Sequence, residues 1–249
     1  MVEAWTAAQI REAERPHLEA GEALMQRAAD GLADVVRDLL RASFGSRQGR
    51  AARVLLLAGS GNNGADALYA GESLACDLLP RGGAVTVVPV GNRVHGAALA
   101  AALAAGATLD DTGLWCDPGT VAERMPGYDV VLDGLVGTGS SGVGLRGDAR
   151  RVVRAVLPAV TGPAAASAAR PGASTPIVVA VDVPSGIGVD DGTLPDPPSV
   201  LPADVTVTFG GHKVGLLTGP SSGLAGRVVL VDIGLGPELE GMTPAFSGP

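Results

Sequence analysis

Short apolar runs alternate with helical patterns from residue 53 onward, and this alternation limits the fold more than any other feature of the chain. Runs such as VLLLA (54–58) and IVVAVDV (177–183) are typical of strands that are buried on both faces. Strands that alternate with helices form βαβ units, in which helices cover both sides of a parallel sheet. The pattern therefore predicts an α/β fold, a Rossmann-like three-layer α/β/α sandwich with a mostly parallel sheet.

The same pattern places the other elements of this sandwich. It predicts further strands at AVTVVPV (84–90), YDVVLD (128–133), RVVRAVLP (151–158), DVTVTF (204–209) and RVVLVDI (227–233), and an Ala-rich helix at 96–105.

The first 50 residues differ and predict an N-terminal helical arm. Thr6 is a predicted N-cap, and Pro16 is expected to break the helix that Thr6 begins. Residues 22–43 place apolar side chains at helical spacing. We expect one domain over 1–236, which includes the helical arm (1–50), and a tail or linker over 237–249.

Composition excludes several classes of protein. The 249 residues hold 18 Lys plus Arg against 26 Asp plus Glu, a net charge of −8, without the basic stripe that nucleic acids require. No apolar run reaches the ~18 residues of a membrane span, and the N-terminus lacks a secretory pattern. The two cysteines form no CxxC motif and fit a reducing compartment. We expect a cytoplasmic protein that binds neither nucleic acid nor membrane.

A glycine loop directly after the first buried strand is the most informative motif. Residues 59–64 satisfy GxGxxG between a strand and a helix, the context of a dinucleotide-binding turn. The next strand ends in Val88-Pro89-Val90 without the acidic residue that binds ribose, which disfavours an ordinary NAD(P)-dependent dehydrogenase. Asn62, Asn63 and Asp66 instead supply polar groups inside the loop. The structural alternative is a tight turn with Asn in left-handed geometry.

Three further segments place polar residues near strand ends. Asp133 precedes a glycine-rich stretch at 134–144, which is either a phosphate cradle or a flexible loop. Asp182 and Ser185 flank Pro184, and a carboxylate in an apolar strand is costly to bury without partners. Lys213 is the only lysine of the chain, and it is either a partner of these acids or a solvated surface residue.

The segments GSGNNGAD, DGLVGTG, VDVPSG and FGGHKVGLLTGP occur in this order and together resemble the NAD(P)HX epimerases, the family of the YjeF N-terminal domain. The resemblance covers residues 5–235. It implies an isomerase that interconverts the R and S forms of hydrated NADH and NADPH in nicotinamide nucleotide repair. It also implies a homodimer, formed near LMQRAA in the helical arm, and an ADP/ATP-dependent dehydratase as a separate or fused partner, as in the bifunctional NAD(P)HX repair enzymes.

The resemblance also implies the site. Potassium ion is the expected cofactor, held by Asn63, Asp133 and Ser185. The expected catalytic residues are Asp133 and Lys213, and whether Asp133 acts as an acid/base, binds potassium or does both stays open. The expected substrate contacts are Asn62, Asn63, Gly64, Ala65, Asp66, Gly137, Thr138, Gly139, Ser140, Ser141, Gly142, Val143 and Asp182.

The sequence departs from the family pattern at two places, and two other functions are alternatives. Ala65 stands where the family has glycine, and the second loop is longer than the family's, so its register after Gly139 is open and Arg146 is a candidate for the family's loop arginine. The main alternative function is a non-catalytic nucleotide-binding scaffold or sensor. A degenerate pocket would have lost one of Asn63, Asp133, Asp182 and Ser185, so the retained set favours the enzyme. A flavin or nucleotide-sugar oxidoreductase is disfavoured by the missing ribose acid and by the low aromatic content of 3%.

Overall fold

A computed structural model of the chain describes residues 2–43, 49–139, 142–161, 175–197 and 199–248. The described helices are α1 (Ala7–Glu19), α2 (Leu24–Ala42), α3 (Asn62–Leu78), α4 (Gly96–Ala104), α5 (Pro118–Arg124), α6 (Gly147–Thr161), α7 (Val214–Leu217) and α8 (Gly236–Glu240). The described strands are β1 (Val2–Trp5), β2 (Arg53–Ala58), β3 (Ala84–Pro89), β4 (Thr108–Leu109), β5 (Val130–Gly134), β6 (Ile177–Val181), β7 (Val205–Phe209), β8 (His212–Lys213), β9 (Arg227–Val231) and β10 (Phe246–Gly248).

Seven of these strands form one sheet in the order β4-β3-β2-β5-β6-β7-β9, and every pairing in it is parallel. Its two faces enter two apolar clusters. Leu56 belongs to the cluster that contains Leu68 of α3, whereas Leu55 and Leu57 belong to the cluster that contains Val152 of α6. Because neighbouring side chains of a strand point to opposite faces, a sheet covered on both sides needs such continuous apolar runs. The predicted three-layer fold is confirmed.

The strand order reverses between β2 and β5, and this reversal positions the site. The chain builds outward from β2 through β3 to β4 and then returns to place β5 on the other side of β2. Leu57 pairs with Asp133 and Ala58 with Gly134, so the loops that follow β2 and β5 emerge side by side. In open α/β sheets, ligands bind at this switch point, beyond the carboxyl ends of the strands.

One strand prediction is wrong, because residues 151–158 lie within helix α6. Val152, Val153 and Val156 are buried, whereas Arg151 and Arg154 lie on the more accessible side. This i, i+1, i+4 spacing of apolar residues matches the period of a helix. The segment was predicted as a strand because valine is typical of strands.

The N-terminal helix follows one prediction and contradicts another. Thr6 caps α1 by accepting from the Gln9 amide at 3.2 Å, and the Gln9 side chain accepts from the Thr6 amide at 3.0 Å, which is a capping box. Pro16, however, lies inside α1 rather than ending it. Pro16 is exposed, the buried residues Ile10 and Ala13 hold the helix face, and the Ala20 amide donates to the Pro16 carbonyl at 3.0 Å.

A second, three-stranded sheet in the order β10-β1-β8 corrects the prediction for the tail. Residues 237–248 were expected to be a linker or frayed end, but they contribute to α8 and form β10, whose Gly248 pairs with Val2. On its other side β1 pairs Trp5 with Lys213. The helical arm therefore begins with a strand that joins the C-terminal segment to the only lysine. No helix within the described residues is long and apolar enough to cross a membrane.

Candidate functional site

The first glycine loop turns directly from β2 into α3. A Cβ added at Gly64 would lie 2.1 Å from the Gly59 carbonyl oxygen, so the turn requires glycine there. Helix α3 begins at Asn62, and its N-cap Gly61 provides no side-chain cap. Asp182 is the one non-glycine residue with positive φ among the described residues, so the alternative of left-handed asparagines in this loop is wrong. Ala65 is helical and buried, a conformation that alanine adopts freely.

Asn63 connects this loop to the next two strand ends. Its side-chain amide is buried and donates from Nδ2 to the Val181 carbonyl, at the end of β6, at 2.7 Å. Gly137 approaches the same amide so closely that an added Cβ would lie 2.7 Å from Asn63 Oδ1. The first helix turn, the second loop and the end of β6 therefore meet at one side chain.

Asp133 and Ser185 form a fully buried pair beneath the loops. The Asp133 carboxylate accepts from the Ser185 amide at 2.9 Å and from Ser185 Oγ at 2.6 Å. The Val136 amide donates to Ser185 Oγ at 2.9 Å, which ties the second loop to this pair. Burial raises the pKa of Asp133, and the hydrogen bonds from Ser185 oppose that rise.

Asp182 and Lys213 form a second buried pair. Of the two alternatives for Lys213, a partner of the acids is therefore correct and a solvated surface residue is not. The Lys213 side chain is 1% exposed, and its ammonium donates to Asp182 Oδ1, to Thr208 Oγ1 at 3.1 Å and to the Phe209 carbonyl at 2.8 Å. Asp182 has φ of 65°, a strained conformation for a residue with a side chain. A strained backbone persists only where the surrounding structure holds it, and such residues cluster at functional sites.

A cavity of about 1410 Å³ lies over the switch point between the loops and helices α1 and α2. Its wall includes these residues of the predicted site: Asn62, Asn63, Asp66, Gly137, Thr138, Gly139, Asp182 and Lys213. Gly64 and Ala65 lie in the turn behind it. Asp133 and Ser185 also lie outside the wall, and Asp133 is 0% exposed.

The second glycine loop has a further small pocket of about 220 Å³ on its other side. Gly142 and Val143 line this pocket, and Gly137 and Thr138 line both spaces. Ser140 and Ser141, which the resemblance assigned to the substrate, lie outside the described residues.

Sequence reasoning missed the contribution of α1 to the cavity. Glu14 and Arg11 line it, and Arg11 Nη1 donates to the Thr138 carbonyl of the second loop at 3.0 Å. Burial raises the pKa of Glu14, and it raises the pKa of Asp66 well above its usual value, with added repulsion from Asp182 and Glu14. No motif flags Glu14, because it is an ordinary helix residue until the helix docks over the loops.

A family profile described as "YjeF-related protein N-terminus" matches residues 21–215, which include the first three of the segments that converge on this cavity and the fourth as far as Gly215. The chain belongs to the YjeF N-terminal family. The predicted membership is confirmed. The match begins in the loop between α1 and α2, so the family region includes α2 but not Glu14.

Relatives of this YjeF N-terminal chain carry two kinds of name. The NAD(P)H-hydrate epimerase of Clavibacter michiganensis subsp. michiganensis is 45% identical over 98% of this chain and 95% of its own length. The protein of the same name in Microbacterium testaceum is 42% identical over 99% of this chain and 84% of its own length. The bifunctional NAD(P)H-hydrate repair enzyme Nnr of Mycobacterium tuberculosis is 42% identical over 91% of this chain, which corresponds to 40% of that longer protein.

A solved structure supports the three-layer α/β fold independently of these names. The crystal structure of yeast ynu0, YNL200c, superimposes with a TM-score of 0.64 over 86% of this chain and 83% of the yeast chain. The two sequences are 19% identical, so this likeness concerns the fold alone.

Proposed function

We propose that this chain is an NAD(P)H-hydrate epimerase, an isomerase that interconverts the R and S forms of hydrated NADH and NADPH. The observation that carries the proposal is the convergence of four separate segments on one cavity at the switch point of the sheet. The epimerases that resemble the chain across nearly its whole length support the same activity.

The cavity suits a dinucleotide in size and in the kind of donor it offers. Its volume of about 1410 Å³ exceeds the ~300–1,000 Å³ that encloses most small ligands. At its edge lies the N-terminus of α3, a helix of 17 residues whose first amides have no side-chain cap. Free amides at a helix N-terminus favour phosphate, and the glycines at 137 and 139 let further backbone approach it. An acidic chain can therefore hold a pyrophosphate with few basic side chains.

The acidic side chains in the cavity wall suit the chemistry at the nicotinamide ring. Inversion at C6 requires transient loss of its stereochemistry, either by departure of the hydroxyl or by ring opening, and departure of the hydroxyl leaves positive charge on the ring. The Asp182 carboxylate accepts from the Lys213 ammonium and from the Phe209 amide, which places it to stabilise such charge. Lys213 supports the reaction through Asp182, because the three hydrogen-bond acceptors around its ammonium are protein atoms.

Potassium is the proposed cofactor, and the chemistry of the available donors fits it. The Asp133 carboxylate, the Ser185 hydroxyl and the Asn63 side-chain oxygen provide only oxygen ligands with a single negative charge, which suits a hard monovalent cation. Among the described residues, no group of three His, Cys, Asp or Glu side chains could hold a metal ion instead. A bound potassium ion would neutralise Asp133 and join the first loop, β5 and the segment after β6.

A coupled assay tests the activity. An equilibrated mixture of the R and S forms of hydrated NADH is supplied with an excess of S-specific, ADP/ATP-dependent dehydratase, and the loss of hydrate is followed. With this protein the whole mixture is expected to be consumed. Consumption that stalls at the S fraction, and continues only at the rate of a control without the protein, would reject the epimerase and favour the non-catalytic scaffold or sensor.

Assembly and location are further parts of the proposal. The tuberculosis relative, of which this chain matches 40%, supports a functional link to a dehydratase, either as a separate protein or fused. We also propose a homodimer formed through the helical arm, where Leu18 of α1 is 59% exposed, and a cytoplasmic location. Light scattering during size-exclusion chromatography tests the dimer, and a mass equal to one chain of 24.7 kDa would reject it.

A further inference from the structure

Asp66 is a buried carboxyl that faces the cavity and has no hydrogen-bond partner among the described residues. It is 8% exposed, lies one turn into α3 and forms part of the cavity wall. A carboxyl that is largely withdrawn from water and has no protein donor is destabilised when it ionises, so proteins rarely retain one that serves only the fold. A titratable group of this kind in a cavity is a candidate for chemistry.

The charged groups that face Asp66 come from three elements. Asp182 follows β6, Lys213 belongs to β8, and Glu14 projects from α1. Lys213 is bound to Asp182, and Arg11, the charged neighbour of Glu14, donates to the second loop at Thr138. Within the described part of the chain, neither Asp66 nor Glu14 forms an ion pair.

Of the two carboxyls without an ion pair, Asp66 and Glu14, this surplus of negative charge favours a proton on Asp66, the more deeply buried one. Burial, Asp182 and Glu14 all raise the pKa of Asp66, and only Lys213 opposes them. Burial also raises the pKa of Glu14, but Glu14 is only half-buried and both Lys213 and Arg11 oppose the rise, so Glu14 ionises before Asp66. A neutral acid beside an ionised carboxylate is the usual arrangement of two carboxyls that serve general acid catalysis.

We propose that Asp66 is the catalytic residue that carries the proton to and from the hydroxyl at nicotinamide C6, and that Glu14 is a positioning residue that keeps this proton on Asp66. The inference rests on the proposed epimerase function. It assigns the proton to a residue other than Asp133, the acid/base candidate from the sequence, because Asp133 is fully buried outside the cavity wall.

The proposed reaction is balanced without an oxidant or reductant. Asp66 donates its proton to the C6 hydroxyl, the C6–O bond breaks with its electron pair on oxygen, and water leaves. The lone pair of the ring nitrogen forms the N1=C6 double bond of an iminium ion. Water then adds to the opposite face of C6, the electron pair returns to nitrogen, and the Asp66 carboxylate takes the proton that the water releases.

Asp66→Asn is the first test, because it keeps the shape and removes the transferable proton. We expect kcat to fall about 10²- to 10⁴-fold, the usual contribution of a general acid or base. Stability is expected to hold or rise, and its decline as pH rises above the ordinary carboxyl range should become shallower, because a buried acid with a raised pKa destabilises the fold once it ionises. Glu12→Gln is the matched control, since Glu12 is an exposed residue of α1 outside the cavity wall, and its kcat is expected to be unchanged.

Glu14→Gln tests the second half of the proposal. Removing the Glu14 charge lowers the pKa of Asp66, so the fall of kcat on the alkaline side should move to lower pH, on the order of one pH unit. A purely structural role would change stability or KM without moving this limb. An unmoved limb overturns the role of Glu14.

The outcomes separate this inference from the proposed function. If the unaltered protein does not speed epimerisation, the function itself is wrong. If it does and Asp66→Asn retains more than a tenth of its kcat, the role of Asp66 is overturned and the function stands. Should Asp66→Asn fail to fold, the pH profile of Glu14→Gln decides the proposal by itself.

Discussion

Lys213→Met should destabilise the protein strongly, since it removes the cation from a pair that is withdrawn from solvent. The side chains of Lys213 and Asp182 are 1% and 8% exposed. Methionine has a similar volume but donates no hydrogen bond, so it leaves the Asp182 carboxylate buried without its cation. Loss of one member of a buried ion pair costs about 3–5 kcal/mol.

This free energy converts into a measurable shift in melting temperature. In a chain of 249 residues, 1 kcal/mol corresponds to roughly 2–4 °C, so the expected fall in Tm is about 6–20 °C. Circular dichroism gives the Tm, and urea unfolding gives the change in the free energy of unfolding.

A double variant identifies the cause of this loss. Asp182→Asn keeps a side chain that tolerates positive φ, so the strained turn survives. Adding Asp182→Asn to Lys213→Met removes the unpaired charge, and the double variant should therefore be more stable than Lys213→Met alone. A loss below about 1 kcal/mol for Lys213→Met, or a double variant whose loss equals the sum of the two single losses, would refute the reasoning that the buried charge is responsible.

Three other predictions concern the loops. Gly64→Ala should cost about 1–3 kcal/mol in urea unfolding, because its Cβ would lie 2.1 Å from the Gly59 carbonyl, whereas Gly61→Ala meets nothing within 4 Å and should change stability by less than about 0.5 kcal/mol; equal losses would contradict this. Ser185→Ala should lower the free energy of unfolding by about 1–3 kcal/mol at pH 8, where Asp133 is ionised and loses a hydrogen-bond donor. The loss should be smaller near pH 4, where Asp133 is protonated, and a loss independent of pH would count against this prediction. Replacing potassium by choline should lower Tm, and Asp133→Asn should remove this response; an unmodified protein that ignores potassium would reject the proposed cation.

The sequence predicted those parts of the fold in which a local pattern and the final structure agree. The central strand β2 is a continuous apolar run because it is buried on both faces. The loop after it needs glycine at position 64 because that residue packs against the carbonyl of Gly59, a near neighbour in the chain. Helix α6 was mistaken for a strand because consecutive valines suit either structure, and only packing against the sheet decides between them.

The parts of the site that the sequence did not predict depend on contacts between distant segments. The sequence predicts Lys213 as a site residue but leaves its burial open, and this burial accompanies the pairing of β8 with Trp5, some 200 residues earlier in the chain. Glu14 reads as a solvent-facing helix residue, and it becomes part of the cavity only because α1 lies over the loops. Hydrophobic period and residue propensity describe neighbours within a few residues, so neither could reveal the burial of Lys213 or the place of Glu14 in the cavity.

The helical arm is consequently part of the site. Asp190 Oδ1 accepts from the Ala7 amide at 2.6 Å and Arg11 donates to the Thr138 carbonyl at 3.0 Å, so the segment after β6 and the second glycine loop both hold α1. Strand β1, directly before α1, pairs with the strand that carries Lys213. The elements that hold the arm are therefore the same ones that line the cavity, and a displacement of α1 would move Glu14 away from Asp66 while it released the second loop.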